Sequence, residues 1–170
     1  TVVVKTILPN LSTQTDFVDM FVNEACIAAM FSHPNVISVY DFGLHPALGR
    51  YFIAMEYLEG LNLSRLRRTY LQHFEKVLPH SLSAQLVAWA CAGLHYVHTL
   101  KSEDGPLNLV HQDISPENLF VTVEGAVKVL DFGVAQAGLS DGDATQVRGK
   151  IGFMSPERLR GAMERRSDIW

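Results

Sequence analysis

The amino-acid sequence predicts an α+β chain in two parts, a small antiparallel sheet with one helix and then a mainly helical part. Two observations carry this. Up to about residue 58 the chain is built from runs rich in β-branched and aromatic residues, TVVVKTIL, VISVYDF and YFIAMEYL, with one helix-like stretch among them. From residue 61 the apolar residues fall mostly at helical spacing, interrupted by one short hairpin pattern. With 170 residues, 48% of them apolar, the chain can bury a real core as one domain or a large piece of one.

The elements follow in order. Residues 1–8 form a strand, in which Val3, Lys5 and Ile7 share one face. After the loop PNLSTQT, residues 16–31 repeat at helical spacing, with Phe17, Met20, Phe21, Ile27, Ala28 and Phe31 on one stripe. Thr15 suits the N-cap, and Asp16 and Asp19 suit the positive end of the helix dipole. HPN at 33–35 ends that helix, and the turn HPALG joins two strands. Glu59-Gly60 is a break. Helices are expected at 61–73 and 81–100, the second capped by Ser81 or Ser83. KSEDGPLN reads as a surface loop, LFVTV and AVKVL as a hairpin, and the residues after SPE as a short helix.

Bulk properties exclude several classes. The formal net charge of −4 speaks against nucleic acid and against an anionic membrane surface. Cys26 and Cys91 lie in apolar helical patterns and are expected as buried thiols in a reducing compartment. LVAWACAGLHYVH is too short to span a bilayer and is broken by Gly and His. No secretory signal pattern opens the chain, so a cytoplasmic setting is expected. The chain opens on a strand and stops at SDIW as a helix begins, which reads as a fragment cut at both ends.

Three places carry chemistry. Glu24 sits on the apolar stripe of its helix, and Lys5 stands between Val3 and Ile7 on a strand face. A charge on an apolar surface is costly alone, so two of opposite sign on adjacent elements invite an ion pair. HQDISPEN places Asp113 five residues before Asn118. Its plainer reading is a polar turn. Its chemical reading is a carboxylate that takes a hydroxyl proton beside an amide oxygen that holds Mg²⁺. Asp131 opens DFG at the end of a strand, where a carboxylate can project into a cleft and hold the metal too.

The order of these pieces resembles the eukaryotic-like protein kinases, specifically the bacterial Hanks-type Ser/Thr kinases. VVVK is similar to the VAIK strand, HQDISPEN to HRDLKPEN, GFMSPE to YMAPE, and DFG is intact. The resemblance runs the length of the chain. It implies a bilobal protein-kinase-like fold, incomplete here. Residues 1–58 would be part of the N-lobe without its glycine-rich loop, and residues 59–170 the hinge and first part of the C-lobe. It implies ATP and Mg²⁺ as cofactors, and a protein substrate with a Ser or Thr hydroxyl. Lys5 would hold the phosphates, paired with Glu24. Val3, Met55, Glu56, Tyr57 and Leu58 would surround the adenine, with Met55 as gatekeeper. Asn118 and Asp131 would hold Mg²⁺, Asp113 would orient the acceptor hydroxyl, and Asp168 would brace the catalytic loop. The chain itself contains no membrane segment, although a parent chain of this kind often carries one.

The departures are as informative. Val3 replaces a small Ala under the adenine. Gln112 stands where an Arg would pair with an activation-loop phosphate, so Thr145 and Ser140 lose the usual electrostatic reason to be phosphorylated unless Arg148 supplies the charge. Ser115 stands where a Lys contacts the transferred phosphate, and Lys150 where a Thr would bond the catalytic loop. The two functions are expected to have exchanged places. A chain lacking the glycine-rich loop is expected to be inactive alone. Two alternatives remain: a pseudokinase scaffold, favoured by Gln112 and Ser115, and a small-molecule phosphotransferase, disfavoured by DFG and SPE.

Overall fold

The computed structural model describes residues 1–10, 12, 14–132, 151–162 and 164–170. Three strands form the first sheet: β1 (Val2–Thr6), β2 (Val39–His45) and β3 (Arg50–Glu56), all antiparallel in the order β1-β3-β2. The register sets Val3 opposite Met55 and Lys5 opposite Ile53. Helix α1 (Thr15–Ala28) lies against this sheet and buries Ala25 and Ala28. Its last residues tighten into i→i−3 bonds, Met30 N–H to Ile27 O and Phe31 N–H to Ala28 O, so the α-helix stops three residues before the expected end. Gln14, not Thr15, is the N-cap, and its side chain makes no capping bond; only Asp16 falls in the first turn.

The residues after α1 do more than break a helix. Val36 bridges to Val129, and the Ile37 N–H donates to Val129 O at 3.0 Å. Strand β2 therefore begins at Val39, later than the apolar run suggests. The Asn35 carbonyl accepts from Val129 N–H at 2.9 Å, and its amide donates to Val127 O at 2.9 Å. Asn35 also lies so close to Gly93 that a Cβ there would meet the Asn35 carbonyl oxygen at 2.6 Å.

The second part holds β4 (Gly60–Asn62), β7 (Leu119–Thr122) and β8 (Val127–Val129) in the order β4-β7-β8, with helices α2 (Leu63–Phe74) and α3 (His80–His98). The expected helix from 61 starts two residues later, because residues 60–62 pair with β7 and the Asn62 side chain caps α2 from the Arg65 N–H at 2.8 Å. Pro79 precedes α3, and neither Ser81 nor Ser83 caps it. KSEDGPLN closes into a small hairpin, β5 (Lys101–Ser102) and β6 (Gly105–Pro106), rather than an open loop. Helix α4 (Pro156–Leu159) follows SPE, and SDIW lies in a 3₁₀ turn, Arg165–Ile169.

One core joins the two parts. Ala28 and Phe31 from the first meet Val36, Leu94, Val97, Val129 and Phe132 from the crossing segment and the second. The expectation for the cysteines is corrected: Cys26 is exposed and Cys91 half-buried. Cys26 follows the buried Ala25 by one helical step of about 100°, which turns it off the packed face.

The contact between Asn35 and Gly93 is backbone against backbone and has little room to give. Gly93→Ala should cost about 1–3 kcal/mol by overpacking. The unfolding transition of this domain in the complete protein should fall by about 2–4 °C per kcal/mol. Calorimetry checks this, and an unchanged transition would show that the contact yields freely.

Candidate active site

Three elements meet at Lys5. Its Nζ donates to Glu24 Oε1 of α1 at 2.8 Å and to Asp131 Oδ1, two residues after β8, at 3.0 Å. The anticipated ion pair is present and extends to the Asp of DFG. Burial alone would lower the Lys5 pKa, but the Asp131 and Glu24 carboxylates outweigh it and raise it above the usual 10.5. The lysine side chain is 37% exposed and that of Asp131 52%. Pairs this exposed add little stability. The junction brings side chains of α1, β1 and the strand end to one point.

Residues 109–118 form a loop whose backbone N–H groups are held largely by side chains. His111 is fully buried. Its Nδ1 accepts from the Asp113 N–H at 3.2 Å, which leaves Nε2 protonated and donating to Leu130 O at 2.9 Å. Burial lowers the His111 pKa below 6.5, against the pull of Asp168 and Asp113, and keeps the ring neutral. Gln112 and Asp131 both have left-handed backbones, φ 69° and 47°. Such residues persist only where surrounding contacts hold them.

For Gln112 that contact is Asp168. Its carboxylate accepts from the His111 N–H at 2.7 Å, the Gln112 N–H at 2.9 Å and His98 Nε2 at 2.8 Å. Burial pushes the Asp168 pKa up, but these three donors outweigh it and hold it below the ordinary 3.8. The expectation that Asp168 braces this loop matches the geometry. His98 was not anticipated. The signal was present, since His98 sits on the buried face of α3 beside Leu94 and Val97, where a His needs a partner.

Asn118 Nδ2 donates to Asp113 O at 2.8 Å and to Asp113 Oδ2 at 2.9 Å. Its amide oxygen thus faces away from Asp113. Its backbone carbonyl accepts from Leu130 N–H at 2.9 Å, which sets Asn118 beside the strand end that carries Asp131. An amide oxygen and a half-exposed carboxylate are hard oxygen donors of the kind Mg²⁺ takes. Among the described residues no group of three or more His, Cys, Asp and Glu could cage a metal. Phe132, 1% exposed, packs on Phe31 at 4.7 Å and on His111 at 4.6 Å between ring centroids.

Val3 and Met55 are cross-strand partners, and residues 57–58 leave the ladder, so their backbone groups are not committed to it. Glu56 turns its side chain to Ser38 N–H at 2.7 Å and Lys128 Nζ at 2.8 Å. Lys128 was missed by sequence reading because it alternates between the buried Val127 and Val129 as a solvent-facing strand residue would. Ser115 is 2% exposed, and among the described residues its hydroxyl has no hydrogen-bond partner. Lys150, with Ser140, Thr145 and Arg148, lies outside the described residues.

The protein kinase domain family matches this chain over residues 1–170. The chain belongs to the protein kinase domain family. The Tyrosine-protein kinase MasK of Myxococcus xanthus is 42% identical over 175 residues, covering 99% of this chain and 26% of that protein. The Serine/threonine-protein kinase PknB of Mycobacterium leprae is 33% identical, with 99% and 26% covered. This kinase chain thus spans about a quarter of the length of these relatives. The crystal structure of the Mycobacterium tuberculosis PknI kinase domain superposes with a TM-score of 0.68 at 25% identity, covering 98% of this chain and 57% of that one. The α+β architecture is therefore part of the protein kinase fold. Among the described residues no helix is long and apolar enough to cross a membrane.

His111 gives the kinase a pH signature. Its folded pKa lies below 6.5, so below pH 6.5 the unfolded state binds the proton first. Stability then falls as the pH drops through that window. Unfolding of the kinase domain followed from pH 7.5 to 5.5 should show this fall, and His111→Gln should flatten it. An equal slope in the variant would remove His111 as its source.

Proposed function

We propose that residues 1–170 belong to a protein serine/threonine kinase that transfers the γ-phosphoryl group of ATP to a protein hydroxyl. The observation that supports it most is the meeting of Lys5, Glu24 and Asp131 at one point, with Asp113 and Asn118 held in the loop beside Leu130. A site that had lost its chemistry would have no reason to keep these five together.

In this reading the acceptor oxygen attacks the γ-phosphorus, the bond to the ADP oxygen breaks, and the hydroxyl proton passes to Asp113. Asn118 holds Asp113 from behind through its amide N–H. Lys5 neutralises phosphate charge, oriented by Glu24. A Mg²⁺ ion held by Asn118 and Asp131 would neutralise the charge developing between the phosphates. Val3 and Met55 would line the adenine site, with backbone groups of Glu56, Tyr57 and Leu58 as its hydrogen-bonding edge. Residues 1–58 are then the N-lobe part and 59–170 the hinge and first part of the C-lobe, working in the cytoplasm where ATP is supplied.

Ser115 and Lys150 complete the reading. Ser115 is buried, and its short neutral side chain brings no charge to a transferred phosphate as a Lys would. We assign that cation to Lys150. A tyrosine acceptor is the second reading, favoured by the 42% identity to a relative named as a tyrosine kinase.

The test is transfer of labelled phosphate from Mg-ATP by the complete protein, to itself and to Ser/Thr and Tyr peptides. Asp113→Asn should reduce the rate by about 10²–10⁴-fold, and Asp131→Asn and Lys150→Ala should reduce it too. Nucleotide binding without transfer by the unmodified protein would support a scaffold instead, and phosphotyrosine alone would move the acceptor class.

A further inference from the structure

The two ends of the proposed ATP site lie on different sheets. Residues 56–58 lead out of β3 at the adenine end, whereas Asp131 follows β8 at the phosphate end. A nucleotide that bridges them needs a fixed spacing between these two strands. Glu56, the last residue of β3, is held in two directions. Its N–H donates to Ser38 O at 3.0 Å, and its Oε1 accepts from the Ser38 N–H at 2.7 Å. The same Oε1 accepts from Lys128 Nζ of β8 at 2.8 Å. Lys128 also donates to Val36 O at 3.3 Å. One carboxylate oxygen therefore joins the end of β3, the crossing segment and the strand that leads to Asp131.

Stability alone does not account for this pair. The Lys128 and Glu56 side chains are 14% and 17% exposed. An ion pair so far from water roughly offsets its own desolvation cost, and apolar residues of the same volume often serve as well or better. Apolar contact lacks direction, however. Here the ammonium spends one donor on Glu56 and one on Val36, and the carboxylate oxygen sits between two donors. Sliding β3 past β8 by about an ångström would break these bonds. The same slide would change an apolar contact far less, because dispersion is spread over many weak pairs.

We propose that Glu56 and Lys128 are positioning residues for nucleotide binding: their ion pair fixes the point where the chain leaves β3 against the strand that ends before Asp131, and so sets the spacing between the adenine and metal ends of the ATP site. This rests on the kinase reading of the site and deepens it. Neither side chain touches the nucleotide. Lys128 acts through Glu56, and Glu56 acts through its own backbone and that of residues 57 and 58, which follow it out of the ladder. Lys128 stands three residues before Asp131, so the same short strand carries both the anchor and the metal ligand.

The experiment separates nucleotide binding from turnover in the complete protein. Lys128→Met, Lys128→Arg and the double variant Glu56→Gln with Lys128→Met are compared with the unmodified protein for the KM of ATP, the Kd of Mg-ATP, kcat and thermal unfolding. Lys128→Met should raise the KM and Kd about tenfold, a loss of about 1.4 kcal/mol in binding, with kcat within about threefold. Lys128→Arg keeps the charge and should retain most of the affinity. The double variant should match Lys128→Met. A role in stability alone would lower the unfolding temperature and leave the KM and Kd where they were. Unchanged values in Lys128→Met and the double variant would therefore overturn the proposal, as would a loss in Lys128→Arg as large as in Lys128→Met. Lys128→Met leaves the Glu56 carboxylate half-buried without its cation. Should it fail to unfold cooperatively, the double variant, which removes both charges, decides with Lys128→Arg. Full transfer by Asp113→Asn would instead overturn the kinase reading itself.

Discussion

A single carboxylate organises the candidate site. Asp168 takes three hydrogen bonds, two from successive backbone N–H groups and one from His98. Each donor would be an expensive orphan if left buried and unpaired. The carboxylate is fully used in return, which is why it stays ionised although its burial opposes that. The left-handed backbone of Gln112 is tolerable because its N–H has this partner. From there order passes outward along the loop: His111 to Leu130, Asp113 to Asn118, Asn118 to Leu130 again. The loop backbone is placed by these bonds, and Asp113 and Asn118 also hold each other through their side chains.

A second constraint joins the two parts of the chain. Lys5 and Glu24 belong to the first, Asp113 and Asn118 to the second, and the proposed reaction would need them at fixed separation. The exposed ion pairs at Lys5 are too weak to hold that spacing. The buried contacts are stronger candidates: Val36 and Ile37 on β8, Asn35 against Gly93, and Phe31 on Phe132. Phe132 also touches His111, so apolar packing reaches the loop from one side as Asp168 reaches it from the other. Glu56 and Lys128 add a half-buried pair between β3 and β8.

Much of this was legible in the residues. The Lys5–Glu24 pair was inferred from two charges on apolar faces, a pattern that has few other solutions. Asp113, Asn118 and Asp131 were read from spacing along the chain, and their neighbourhood follows from one hairpin. Other features were hidden for physical reasons. Element ends depended on capping: Asn62 caps α2 through its side chain, whereas the Ser residues near α3 do not cap at all. Residues 36 and 37 look like the start of a strand in one sheet and pair with the other, which no local pattern records. Lys128 looks like a surface cation, and only the fold brings it to Glu56. Cys26 sits in an apolar run but one step off the packed face.

The central claim is that Asp168 holds the loop and so the reaction. The direct measurement is amide hydrogen exchange at His111 and Gln112 in the complete protein, with and without Asp168→Asn, beside its phosphoryl transfer rate. Asparagine keeps the shape but turns an N–H toward donors. Losing a charge-assisted bond worth about 1.5–3 kcal/mol should speed exchange at both amides by about 10- to 100-fold and reduce transfer with them. Unchanged protection at both amides, with transfer undiminished, would contradict the account.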